Sequence, residues 1–256
     1  HELQPTAHVE ISPHMLLGVS VRFLKEFARW HRIDAGASSL SVGELVLGVT
    51  SVTRLSVCEQ MRWAVTEDAM PAVGRAAHFV SHAHACSFVK LCDALGAYVA
   101  MHALDEASTY LWVDLFSIRQ HDLEADIVQV APVEQAIGSV VLVLDPWDRP
   151  VSLTRIWCLF ELLQSLHDGV SLELTLAPDE QRRLVAELQR DYTGVLRLLT
   201  AFDVRTADVS VEADRALILQ MIASTFGEGE GSVDYFNRET RAALRRALSA
   251  FSQWSA

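Results

Sequence analysis

The stretch SVVLVLDPWDRPVSLTRIWCLFELLQSLHDG, Ser139 to Gly169, decides the fold. It opens on a nearly unbroken apolar and β-branched run that stops at Asp145–Pro146. Such a run reads as a strand buried on both faces. From Leu153 onward the apolar residues recur at helical spacing, and Gly169 makes a plausible stop. A buried strand feeding directly into a helix is half of a βαβ unit.

The same pattern repeats on either side. "AAHFVSH" (76–82) and "YLWVDLFSI" (110–118) read as further buried strands, and "SLELTLA" (171–177) as an alternating one. Helical patterns lie between them: "CSFVKLCDALGAYVAMHAL" after the first strand, "VAPVEQAIG" before the third, and "PDEQRRLVAELQRDYTGVLRLL" after the fourth. The last has Pro178 near its first position and acidic residues in its first turn. Strands alternating with helices imply parallel pairing through crossovers, a doubly wound α/β sheet. The expected organisation is a helical N-terminal extension over residues 1–70, an α/β domain over 71–204 and a helical C-terminal extension over 205–256. In the last, two amphipathic helices flank the loop "GEGEGS" (227–232).

Composition bounds the function. Half of the 256 residues are hydrophobic and the net charge is −12, so a globular domain is expected and a nucleic-acid backbone is not the expected partner. No run approaches the ~20 apolar residues of a membrane span. Cys58, Cys86, Cys92 and Cys158 form no CxxC pair, and no signal-like start is visible, which favours free thiols and a cytoplasmic setting. No Walker-type or GxGxxG loop occurs, so any phosphates would be held by helix N-termini and side chains.

Ligands of an open parallel sheet bind beyond the carboxyl ends of its strands. Those ends carry the polar groups here: Ser81–His82–Ala83–His84, Asp114 with the following "LFSIRQHD", and Asp145–Pro146–Trp147–Asp148. Glu161 belongs with them. On a helix its neighbours at three and four residues are Trp157, Cys158, Gln164 and Ser165, while Ile156, Leu159, Phe160 and Leu163 form the opposite face. It can border the crevice, or it can be a solvated helix glutamate.

The other candidates each carry two readings. His82, His84 and Cys86 alternate and would point the same way on an extended segment, but no fourth ligand is evident. A metal site is therefore not expected, and His82 and His84 read as crevice-lining residues or as backbone-satisfied strand-end groups. Asp114 reads as a ribose or adenosine contact, or as the partner of Arg119 or a loop amide. Arg119 is a loop residue covering the site or a surface charge. Trp147 and Trp157 offer rings for stacking on nicotinamide or adenine, with a half-buried core role as the alternative for Trp157. Cys158 has no histidine partner in sequence and reads as a buried structural thiol.

"FVSHA" on the first strand, "AIGSVVLVLDPW" and "TRIWCLFEL" together resemble the Toll/interleukin-1 receptor (TIR) domain, whose helix after the third strand bears WCxxEL. Trp157, Cys158, Glu161 and Leu162 match that pattern. The chain resembles more closely a divergent bacterial and algal TIR-like group with "FVSHAW" and "LTRxWCLxE", from which it departs by His84 in place of Trp. The resemblance covers roughly residues 72–204. It implies a flavodoxin-like sheet of order 2-1-3-4-5, and an enzyme that cleaves the nicotinamide–ribose bond of NAD with Glu161 as the essential carboxylate. NAD is then a substrate, and no cofactor is implied. The family also implies a second possibility, a non-catalytic module that self-associates through TIR-like surfaces. Glycosyl transfer on a nucleoside, as in flavodoxin-like deoxyribosyltransferases, is a third.

Overall fold

A computed structural model describes residues 10–167, 169–209, 212–226 and 230–254. The chain runs through β1 (Leu17–Ser20), α1 (Val21–Trp30), α2 (Ser39–Thr50), α3 (Val57–Gln60), β2 (Val73–Arg75), β3 (His78–Ser81) and α4 (Phe88–Met101). It continues with β4 (Tyr110–Trp112), α5 (Asp114–Ser117), α6 (Leu123–Ile127), α7 (Val130–Ile137), β5 (Ser139–Val143) and α8 (Ile156–His167). The last elements are β6 (Ser171–Thr175), α9 (Pro178–Leu199), α10 (Glu212–Phe226) and α11 (Glu230–Trp254).

The six strands form one sheet of order β2-β1-β4-β3-β5-β6. The four strands read from the sequence are β3, β4, β5 and β6, and they pair with one another in parallel. Helices cover both faces, so the fold is flavodoxin-like α/β. The order β4-β3-β5-β6 reproduces the first four places of 2-1-3-4-5. Among the described residues no fifth parallel strand follows; the chain goes on into α9, α10 and α11.

The N-terminal segment differs from its helical expectation. "HMLLGVSVRFLKEFARWHRI" breaks at Ser20: Leu17–Ser20 is a strand, antiparallel to both β2 and β4. The Ser20 hydroxyl accepts the Phe23 amide at 3.1 Å and starts α1 there. Gly18 is required by the β1–β4 approach, because a Cβ at that position would lie 2.5 Å from the Leu111 carbonyl oxygen. At the other end, the loop read over 227–232 falls partly outside the described residues (227–229), and Glu230 to Ser232 form the first turn of α11.

The alternation of strand side chains divides the core. Val80, Leu111, Val113 and Val141 pack with α1, α2 and α4 through Phe23, Phe27, Val46, Phe88 and Leu95. On the opposite face Leu142, Leu144 and Leu174 pack with Ile156, Leu159 and Phe160 of α8 and with Ile218, Phe236 and Leu248 of the C-terminal helices. A third cluster beneath α7 contains Phe79 and Trp112, stacked at 4.5 Å across β3 and β4. Such a ring pair adds about 0.5–1.5 kcal/mol beyond its burial. Gly169 follows α8 with φ +70°, the left-handed conformation of a helix stop.

Candidate functional site

The chain leaves the central strand β3 toward β4 on one side and later returns to β5 on the other. The carboxyl end of β3 is therefore where strand order reverses, and Ser81, His82 and His84 lie there. β4 pairs with β3 in the register Phe79↔Trp112, which carries Asp114, two residues past β4, to the same edge. α8 packs against β3, β5 and β6.

Glu161 faces this edge. The buried Ser81 hydroxyl donates to its Oε2 at 2.6 Å. The residue keeps part of its surface in water, while its carboxylate is turned inward. Burial raises its pKa from the ordinary 4.5 to about 7; the Ser81 hydrogen bond opposes that rise, the Asp114 charge adds to it and His84 opposes it. A helix glutamate in bulk water would show neither the serine bond nor the shift, so the solvated reading is set aside.

Beside it lies a histidine–aspartate pair. His84 Nε2 and Asp114 Oδ2 are 2.6 Å apart. The Asp114 charge raises the His84 pKa against the effect of burial. Burial pushes the Asp114 carboxyl up, but His84, His82 and the Leu115 amide, which donates to Oδ1 at 2.8 Å, together hold it below the usual carboxylate range. Asp114 thus has the backbone amide expected of it, and its side-chain partner is His84 rather than Arg119. His82 is buried, and burial lowers its pKa to about 4, so its ring is neutral at pH 7. Its Nδ1 lies 3.9 Å from Asp114 Oδ1, and the two imidazole centroids are 5.1 Å apart.

The remaining candidates lie apart from this cluster. Arg119 donates from Nε to Glu59 Oε2 at 2.8 Å and from Nη2 to Oε1 at 2.5 Å. With Glu59, His14, Leu17 and Leu55 it lines a separate cavity of about 410 Å³. Trp147 is buried in the α8-side core, with its backbone amide bonded to Glu180 Oε2 at 2.9 Å, and offers no free ring face for a ligand. Trp157 is partly buried against the same core, edge-on to Phe160 at 6.4 Å. The Cys158 thiol is buried near the His82 carbonyl oxygen, 3.6 Å away, and burial raises its pKa, which suits a structural role. Cys86 turns away from the histidines, its thiol donating to the Asp145 carbonyl oxygen at 3.2 Å. A second cavity, about 370 Å³, lies between Gly169–Leu172 and α11, at the opposite edge of the sheet.

Two contacts escaped the sequence reading. Ser81 was visible at the strand end, but its bond to a residue 80 positions away was not. Glu59, the partner of Arg119, sits in the N-terminal segment, where only the capping box of Ser56 and Glu59 marks it locally.

Among the described residues no helix is long and apolar enough to cross a membrane. Comparison with protein-family models, with curated proteins and with solved structures finds no match for the chain.

Proposed function

We propose that the chain is a TIR-like enzyme that cleaves the nicotinamide–ribose bond of NAD, with Glu161 as its catalytic carboxylate. The observation that carries this reading is the inward-turned Glu161, hydrogen-bonded to Ser81 at the switch point of the sheet. The carboxyl edge is where a doubly wound sheet takes its ligands.

In this reaction the bond from ribose C1' to the nicotinamide nitrogen breaks, and both electrons go to the nitrogen, which becomes neutral. The ribose is left as an oxocarbenium ion. Water attacks C1' and loses a proton, giving nicotinamide, ADP-ribose and H⁺. Nicotinamide leaves without protonation, so no general acid is needed. An ionised Glu161 beside the sugar stabilises the developing positive charge more than it stabilises the ground state. Ser81 fixes the carboxylate's orientation. His82, neutral, and the His84–Asp114 pair border the same edge and supply polar contacts for the sugar or phosphates. A ribose hydroxyl attacking in place of water would give a cyclic product, and another acceptor would give transfer.

The test is release of nicotinamide from NAD by the full chain, with Glu161→Gln and Glu161→Ala beside it. The expected result is turnover that rises as pH increases through about 7 and falls at least ~100-fold in both variants. Unchanged release in both variants removes Glu161 from the mechanism.

One observation favours a non-catalytic assembly module instead. Neither of the two cavities described above is lined by Glu161, whereas Trp63, Val52 and Val65 stand exposed on the N-terminal segment. Concentration-dependent self-association, with no nicotinamide release between pH 5 and pH 9, selects that reading. Nucleoside turnover with NAD inert selects glycosyl transfer.

A further inference from the structure

We infer that His82, His84 and Asp114 form a binding site for a divalent cation of the zinc class. One donor atom from each residue lies within 4.8 Å of the other two. His82 follows β3 directly, His84 lies in the turn beyond it and Asp114 opens α5 just past β4, so the β3–β4 register brings the three together. Two imidazoles and one carboxylate make the mixed N and O donor set that zinc and its neighbours in the transition series accept.

The buried His82 ring supplies the second observation. Its Nε2 is enclosed and has no hydrogen-bond partner among the described residues. Its Nδ1 points toward Asp114 but stops at 3.9 Å, beyond hydrogen-bond reach. The enclosed Nε2 carries the cost of an unmade bond, and Nδ1, on the Asp114 side, is the ring atom left available to a ligand. An ion held between the three side chains gives that ring a bond through Nδ1.

The distances are close to what such an ion needs. Metal–ligand bonds of 2.0–2.2 Å in a tetrahedral arrangement separate neighbouring donors by about 3.3 Å. The His84–Asp114 contact opens to that value from 2.6 Å, and the His82–Asp114 contact closes to it from 3.9 Å. These two shifts, each measured to a different Asp114 oxygen, are below 1 Å, and the two imidazole donors, which lie within 4.8 Å of each other, close by up to about 1.5 Å. The ion replaces the hydrogen bond between His84 and Asp114, whose side chains are 41% and 30% exposed, so the position left open faces water. Three protein ligands with an exchangeable fourth position is the pattern of an open site rather than a closed structural one. Cys86, the sequence neighbour that could have competed, is committed to the Asp145 carbonyl.

The inference stands apart from the NAD reading, because its readout is binding and not turnover. The full chain is stripped with a chelator, dialysed, and titrated with Zn(II) by calorimetry and with Co(II) by visible absorption. Uptake of one equivalent is expected, with the intense d–d bands of a four- or five-coordinate Co(II). His84→Ala and Asp114→Asn are the main variants, since both side chains reach the surface, and each should weaken binding at least about tenfold. His82→Ala, at a buried position, is read only after its circular dichroism matches wild type. Cys86→Ser and His31→Ala should leave uptake unchanged. No stoichiometric uptake overturns the inference, and so does uptake that persists undiminished in both His84→Ala and Asp114→Asn, which would place the ion on other histidines.

Discussion

Glu161→Gln should change the pH dependence of stability in a defined direction. Glutamine keeps the shape of the side chain and an oxygen that accepts the Ser81 hydroxyl, but it carries no proton to lose. In the wild type the carboxyl moves from 4.5 in the unfolded chain to about 7 in the fold. Below pH 4.5 the group is protonated in both states and contributes nothing that varies. Between 4.5 and 7 the folded state holds more protons than the unfolded one, so stability falls as pH rises, and above 7 the loss is complete. The full shift corresponds to about 3 kcal/mol. Part of the residue reaches water, and solvent screening reduces that to about 1–2 kcal/mol. For a chain of this size that is ~3–6 °C in melting temperature. Thermal unfolding of both proteins at pH 5 and at pH 8 measures it. Other titrating groups are common to both and cancel in the difference. The variant should gain on the wild type by about 1–2 kcal/mol between the two pH values. Parallel curves, or a wild type that gains on the variant as pH rises, would refute an inward, desolvated carboxylate.

Three more outcomes follow from particular contacts. Ser81→Ala removes the hydrogen bond that opposes the rise of the Glu161 pKa, so the midpoint of nicotinamide release against pH should move upward, read from rate profiles. Gly18→Ala puts a methyl group 2.5 Å from the Leu111 carbonyl oxygen and must spread β1 from β4; denaturant unfolding should show a loss of roughly 1–3 kcal/mol. Arg119→Ala breaks the two-point contact with Glu59 and should cost about 1–2 kcal/mol of stability, while nicotinamide release per folded molecule stays unchanged.

The parallel strands were legible because burial on both faces leaves a local signature: β3, β4, β5 and β6 each lie within a run picked out by apolar or alternating residues. β1 was not, because LGVS continues the apolar spacing of the helix after it, and what makes it a strand is the edge of β4, some 90 residues further on. The site divides in the same way. Glu161 could be placed by helical spacing and by its distance from the third strand. The His84–Asp114 pair depends on a strand register that no local pattern encodes, and Arg119 was drawn away by a glutamate in a segment whose docking is tertiary. Trp147 sits in a polar, proline-flanked strand-end loop, where its ring reads as one for stacking on a ligand, yet that ring is covered by the α8-side core.

The two terminal segments complete the opposite faces of the sheet, Phe23 and Phe27 on one and Phe236 and Leu248 on the other. A shortened version confined to the central strands and their crossovers would therefore carry two raw greasy faces into solution. Clumping of such a fragment would reflect those stripped faces, not a native habit of pairing. Work on how this protein meets copies of itself should begin with the whole chain.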